Sequence, residues 1–418
     1  MKKLLSLLLT TVMIFACLSA AFAEETAKDT PKTEIWASEE SPTGYYVTFR
    51  YVDPEAERVR LYGEFMFAKP YENSLYVHKA STEWTEGSFP MYGDGWATVE
   101  MEKNEDGVWE YTLALPNGTF SYRFMVGGDE GTETKDTTGA TMHWDPSRVP
   151  LRNSYDMEGI TGGDHYLSTI YVPYDETKNV EDRRIEAPRD GENGEVSYFT
   201  INCGEEYGER TYGLYLPYGL DLNREEPYRV LVLNHGAGGY EGSWINQGAM
   251  APIFDNCIAE GILEPTIVVT PKTSDLDSYM DALDNYVFPY LAENYNASLE
   301  KKDHAIAGLS AGAALITRVW VTRPTDFAYY CQFSGYWLDR AIADYQPDLS
   351  ADVYKDLNIT FVCGTYDQLS IAITSLLDTQ KTMTENGIPY KTVLIDTGHT
   401  WYLWMRGLAF ICQNVLWK

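Results

Sequence analysis

Basic side chains are scarce in this chain. Its 418 residues hold 32 Lys and Arg against 62 Asp and Glu, a formal net charge of −30. A surface of that sign repels phosphate backbones and anionic lipid, so nucleic acid and membrane surfaces are poor partners for it. Cysteine is sparse as well: there are six, and no two stand at C-x-x-C spacing. They imply neither a disulfide framework nor a zinc site. Cys331 and Cys363 lie inside apolar, strand-like runs, where a thiol serves as a small hydrophobe. Long hydrophobic runs are missing beyond the start of the chain. Leu4 to Phe15 is too short to span a bilayer; it follows Lys2-Lys3 and leads to Ala21-Phe22-Ala23. That order reads as a secretory signal over residues 1–23, cleaved before Glu24. The stretch "IFAC" around Cys17 offers a lipoprotein box as the lesser alternative. The expected mature protein is exported, soluble and free of the membrane after cleavage.

Aromatic residues are abundant, 14% of the chain with 32 Tyr and 11 Trp, enough for a large core with rings to spare for a surface site. The length suits two domains. Residues 24–40 are polar and mixed and read as a flexible lead-in. From Tyr45 the pattern has period two, as half-buried strands do ("YYVTFRYV", "RVRLYGEF"). In "GVWEYTLALPNGTFSYRFMVGG", Trp109, Tyr111, Leu113 and Leu115 alternate with polar residues. Pro116-Asn117-Gly118 then turns, and Phe120, Tyr122, Phe124 and Val126 return, which predicts a hairpin. Residues 41–130 are therefore expected to form an antiparallel β-sandwich, with an insertion at 67–96 of no legible shape. Residues 131–190, rich in Gly, Asp, Thr and Pro, read as a linker or strap.

Residues 191–418 carry a different pattern. "RVLVLNH", "TIVVTPK", "HAIAGLS", "ITFVCG" and "KTVLID" are unbroken apolar runs, and residues 278–295 read as a helix between two of them. Buried strands alternating with helices mean a mainly parallel sheet covered on both faces, an α/β architecture.

Within that pattern Gly308-Leu309-Ser310-Ala311-Gly312 is G-x-S-x-G, set between the strand "HAIA" and the helix "AALITRVW". A nucleophile elbow needs this layout. The serine sits on a sharp strand-to-helix turn, and the flanking glycines leave space where a Cβ would strike a neighbouring element. The helix N-terminus adds positive partial charge where an oxyanion forms. A seryl hydroxyl needs a base. His399, in the loop after the last strand ("LIDTGHTWYLW"), is the candidate; His304 lies at the wrong end of its strand. Asp367, just past "FVCG", is the candidate acid, with Asp396 as rival. The order Ser310, Asp367, His399 is the α/β-hydrolase order. Oxyanion donors are expected from Ala311 and from the loop "NHGAGG", with Ala237 first and Gly236 next; His235 is expected to support that loop. Tyr240, Trp244, Trp337, Tyr366 and Trp401 lie near these loops in sequence and are candidates for stacking on a substrate ring. Trp404 is expected to pack inward.

The segments "LYLPYGLD", "LVLNHGAGGYEGSW", "AIAGLSAG", "FVCGTYDQ" and "GHTWYLW", in this order, resemble carbohydrate esterase family one, the esterase D-like group of feruloyl and acetylxylan esterases. The resemblance covers roughly residues 195–418. It departs at Ala313, where that family often has glycine. It implies an α/β-hydrolase fold, a triad on Ser310, Asp367 and His399, and no metal or cofactor. The segment "LPNGTFSYRFMVGG" resembles an early-set or family-48 carbohydrate-binding module. The implied function is a secreted serine esterase removing feruloyl or acetyl groups from a plant cell-wall polysaccharide such as arabinoxylan. Siderophore lactone hydrolysis and a non-catalytic sugar-binding protein are the alternatives.

Overall fold

The computed structural model describes residues 31–69, 81–91, 97–128, 139–148, 167–178, 181–272, 276–367 and 370–418. The expected signal segment with Cys17, His78 and His165, and parts of the expected strap, lie outside the described residues.

The front domain is a sandwich of two main antiparallel sheets. One carries β1 (Glu34–Ala37), β2 (Tyr45–Val52), β7 (Glu102–Lys103) and β8 (Val108–Ala114), in the order β1-β2-β8-β7. The other carries β3 (Val59–Gly63), β6 (Ala97–Glu100), β9 (Gly118–Gly127), β10 (Ala140–His143) and β11 (Ser168–Val172). A two-stranded ribbon pairs β4 (Phe67–Ala68) with β5 (Phe89–Pro90), and its Phe67 packs into the sandwich core. Val47, Phe49, Leu61, Leu113, Phe120, Tyr122 and Phe124 fill the space between the sheets.

Three expectations are corrected here. The expected hairpin around Pro116-Asn117-Gly118 does not form, because β8 and β9 belong to different sheets. Their apolar faces meet across the core. The link is fixed by Asn117, whose Nδ2 donates to Val172 O at 2.6 Å and to Tyr171 Oη at 3.0 Å. Period-two alternation says which face is buried; it does not say whether two strands share an edge or face each other. The lead-in is not uniformly flexible either: β1 pairs with β2 from Glu34↔Thr48 to Ala37↔Tyr45. The sandwich also extends past residue 130, since β10 and β11 both pair with β9.

The second domain is an α/β-hydrolase fold. Its strands are β12 (Glu195–Asn202), β13 (Glu209–Leu216), β14 (Arg229–Asn234), β15 (Thr266–Pro271), β16 (His304–Leu309), β17 (Tyr329–Phe333), β18 (Ile359–Gly364) and β19 (Lys391–Ile395). They form one sheet in the order β12-β13-β15-β14-β16-β17-β18-β19. β12 and β13 run antiparallel to their neighbours, and β15 through β19 are parallel. Helices α1 (Met250–Ala259) and α7 (Trp401–Asn414) cover one face. The other face carries α2 (Leu276–Ala282), which continues through a π-turn into α3 (Phe288–Tyr295), then α4 (Ala311–Thr322), α5 (Leu338–Tyr345) and α6 (Ser370–Asn386). Coverage of both faces explains the unbroken apolar strands. In β14, Val230 and Val232 pack on one face while Leu231 and Leu233 pack on the other. Because β14, β16, β18 and β19 are parallel, the loops after them open on the same sheet edge, where ligand sites of open α/β sheets lie.

The two domains are joined by a buried bolt. Arg183 Nε donates to Glu186 Oε1 at 2.7 Å, and Arg183 Nη2 to Glu186 Oε2 at 2.6 Å. Glu186 Oε2 also accepts from the Thr119 N–H in β9, and the guanidinium lies over the Tyr402 ring of α7. Gly118, at φ +124°, faces this guanidinium so closely that a Cβ there would overlap it. Among the described residues no helix is long and apolar enough to cross a membrane, and the five described cysteines are buried and unpaired.

Candidate active site

Strand β16 ends at Leu309 and α4 begins at Ala311, so Ser310 makes the whole turn, at φ 50° and ψ −116°. A β-carbon-bearing residue in that region is strained, and such strain concentrates at functional sites. The glycines around it allow the packing. A Cβ on Gly308 would lie 2.8 Å from Asn234 Cβ, and one on Gly312 would overlap His235 O. A third glycine, Gly335, abuts Ser310 O just as tightly. Gly335 lies just beyond β17, in a loop whose sequence carries no motif. The Ser310 N–H donates to Phe333 O at 2.8 Å, which ties the elbow to β17.

The candidate acid and base come from the loops after β18 and β19. His399 Nδ1 is 3.0 Å from Asp367 Oδ2. Asp367 is fully buried and the imidazole is 12% exposed. Nδ1 donates in this pairing, which leaves Nε2 as the acceptor in the neutral ring. The Trp404 ring meets the imidazole edge-on at 5.0 Å. The Tyr366 N–H donates to Thr397 O at 3.0 Å and binds the acid loop to the base loop. Asp396 is exposed and accepts from Thr365 Oγ1 at 2.9 Å. Among the described residues no hydrogen bond joins Ser310 Oγ to the imidazole. In ligand-free sites this contact is commonly long and tightens in the complex.

The loop after β14 lies against the serine. A Cβ on Gly236 would be 3.1 Å from Ser310 Cβ and 2.6 Å from Leu309 Cδ1, so only glycine lets the loop approach this closely. Ala237 is exposed beside it. The Ala311 N–H is the first of α4 and has no acceptor within the helix. His235 Nδ1 donates to Gly236 O at 2.7 Å, and burial pushes its imidazole down to about 4. It is a neutral brace for the loop. His304 lies at the start of β16, stacked on Phe288 at 4.1 Å, with its pKa lowered by burial. His143 is on β10 in the sandwich.

The ring candidates divide. Tyr240, Trp244 and Trp401 are buried and do not form a stacking surface. Trp244 donates to Asn234 O at 2.9 Å and meets Trp401 edge-on at 5.2 Å. The Tyr240 hydroxyl accepts from Asn246. These rings bury large apolar areas under the loops, and nearness in sequence to a loop does not distinguish that role from display. Trp337 and Tyr366 are half-buried. Arg340 lies over the Trp337 ring at 5.2 Å, and Phe89 of the front domain stacks on Tyr366 at 5.2 Å. Trp404 packs inward, as expected.

Residues 207–413 match the family model Esterase, described as "Putative esterase". The matched stretch holds every hydrolase-domain residue just described, so the similarity to that family takes in the whole candidate site. Over 156 residues, 34% of the chain, it is 31% identical to an endo-1,4-beta-xylanase/feruloyl esterase of Xylanibacter ruminicola, covering 21% of that protein. Over 173 residues, 38% of the chain, it is 28% identical to endo-1,4-beta-xylanase Y of Acetivibrio thermocellus, covering 15% of that protein. The chain thus spans about a fifth or less of the length of these curated relatives. Among solved structures, the enterochelin esterase of Shigella flexneri is similar over 94% of this chain and 97% of its own, with a TM-score of 0.59 and 15% identity. That likeness is one of fold and takes in both domains of this chain.

Proposed function

We propose that this protein is a carboxylic ester hydrolase that works through an acyl-enzyme on Ser310. The observation that carries the reading is the 3.0 Å pairing of His399 Nδ1 with the fully buried Asp367, on the sheet edge where the strained Ser310 elbow stands. Ser310 Oγ attacks the ester carbonyl while His399 Nε2 takes its proton. The N–H groups of Ala311 and Ala237 bind the resulting oxyanion, and the imidazolium returns the proton to the departing alcohol. Water then attacks the acyl-enzyme with the same base, releasing the acid and restoring the serine. Asp367 holds the ring tautomer and steadies its charge. No metal or cofactor takes part in these steps.

The proposed substrate is a feruloyl or acetyl ester on a plant cell-wall polysaccharide such as arabinoxylan. The xylanase and feruloyl esterase names of the curated relatives support this class. The net charge of −30 suits a neutral polymer. Export through residues 1–23 completes the proposal, because such polymers stay outside cells. Sequencing the N-terminus of the secreted protein tests that part, and a start at Glu24 is expected. A second reading, hydrolysis of a catecholate siderophore ester, draws on the two-domain fold shared with the enterochelin esterase; the acidic surface counts against so anionic a substrate.

The test is release of ferulate or acetate from arabinoxylan by the purified protein, with a siderophore ester in parallel. Ser310→Ala is expected to lose on the order of a millionfold in kcat, as serine protease triads do. Activity near wild type in that variant overturns the acyl-enzyme reading. Release only from the siderophore ester overturns the substrate. Sugar binding without turnover of any ester would make the chain a binding protein instead.

A further inference from the structure

The front domain reaches the second domain at one place in particular, and that place brackets the acid–base pair. Phe89 of β5 stacks on Tyr366, the residue before Asp367, with ring centroids 5.2 Å apart and planes within 19°. Ala68, Phe89, Met91 and Tyr366 form a small apolar cluster separate from the three larger cores. Thr397 Oγ1, two residues before His399, donates to Pro90 O. Gly398, next to His399, is enclosed between the domains: a Cβ there would lie 3.3 Å from Met91 Sδ and 3.3 Å from Tyr366 O. On the far side of the histidine, Glu64 Oε1 accepts the Trp401 N–H at 3.3 Å, an orphan donor of the first turn of α7. The segments on either side of His399 therefore rest on the sandwich, as does the residue before Asp367. The Ser310 elbow and the Gly236 loop are instead held by Phe333, Gly335 and His235, all within the second domain.

We infer that Phe89, Pro90 and Met91 are positioning residues for His399, so that the front domain sets the geometry of the general base. The inference rests on the reading of His399 as that base. A base works only within a narrow range of distance and angle, and an ångström of displacement is enough to slow turnover severely. The ribbon fixes both loops at once, because the Tyr366–Thr397 hydrogen bond links them. A module whose only task is to hold a glycan would instead act through the affinity for polymer.

The experiment uses the full chain and a small soluble ester, p-nitrophenyl acetate, which needs no glycan contact. Phe89→Ala and Met91→Ala are expected to lower kcat by about 10- to 100-fold with KM changed by less than about 2-fold. The acid limb of the pH–rate profile is expected to move with them. Phe89→Tyr, which keeps the ring stack, should restore both. Unchanged kcat and pH profile in the alanine variants overturn the inference, as does a defect seen only as a raised KM on arabinoxylan. A second readout is independent of turnover: the ring Cε1–H NMR signal of His399, assigned with His399→Gln and followed in pH titration. It should shift in Phe89→Ala and return in Phe89→Tyr. If the wild type cleaves no ester, the esterase reading fails while this signal still decides the positioning, and an unmoved signal overturns it.

Discussion

His399 Nδ1 pairs with Asp367 Oδ2 at 3.0 Å, across 32 residues of chain. Asp396, only three residues from the imidazole in sequence, is exposed and bonded to Thr365 Oγ1. Nearness in sequence thus loses to the sheet, which delivers the ends of β18 and β19 side by side. Asp367→Asn is expected to lower kcat by roughly 10⁴-fold, because an amide donates to Nδ1 and imposes the wrong tautomer. Asp396→Asn should leave kcat within about 3-fold, the scale of an exposed change outside the site. Steady-state kinetics of the two variants on one ester checks both, and the reverse ranking would reassign the acid.

Gly236 brings the β14 loop against Ser310, the proposed nucleophile. Gly236→Ala puts a methyl group 3.1 Å from Ser310 Cβ and 2.6 Å from Leu309 Cδ1. The loop must retreat, and its donors retreat with it. Loss of one oxyanion donor typically costs about 100- to 1,000-fold in kcat, and a fall of roughly 100-fold is expected here. The domain should stay folded, which a circular dichroism melt will show. A variant with full kcat would place the oxyanion donors elsewhere.

How much of this was legible beforehand depends on how local the signal is. The elbow is local: two glycines, one serine, a strand before and a helix after. Its glycines face Asn234 and His235 because the motif encodes that packing. The unbroken runs of β14, β15, β16 and β18 are local too, since each strand is buried on both faces, whereas β19 is an edge strand exposed at Lys391, Thr392 and Leu394. Long-range pairing is not local. β8 and β9 look like a hairpin in sequence, yet they lie in opposite sheets, held apart by Asn117 and its bonds to β11. β10 and β11 come from sequence rich in Gly, Asp and Thr, and only their pairing with β9 makes them strands. The rings were the least legible. Trp244 and Trp337 have equal claims in sequence, but burial separates them, and burial depends on the whole fold.

The bolt between the domains is a buried ion pair. Arg183 and Glu186 are 3% and 1% exposed, and each carboxylate oxygen takes a guanidinium hydrogen bond. Glu186→Gln leaves a buried cation without its counter-charge and weakens the acceptor for the Thr119 N–H. Breaking such a pair costs about 3–5 kcal/mol. Urea unfolding of the variant should show a loss of this size, with the front domain becoming the first part cleaved in limited proteolysis. A loss under about 1 kcal/mol would mean that the pair already sees water.

His235 gives a pH dependence with a definite sign. Burial pushes its imidazole down from 6.5 to about 4, against the weaker opposing effect of its bond to Gly236 O. Between those values the unfolded chain binds a proton that the folded chain refuses. Stability therefore rises with pH across the window and falls as the pH drops from about 6.5 to 4. The full shift corresponds to about 3 kcal/mol at the acid end. His235→Gln can keep a donor near Gly236 O and has no such titration. Urea unfolding of both proteins at several values from pH 4.5 to 7.5 should show a steeper acid loss in the wild type. The gap between the two curves isolates this residue from His304 and from the carboxylates, which titrate in both proteins. Parallel curves would mean that the His235 ring is hydrated, and then it could not be the dry brace on which the Gly236 loop rests.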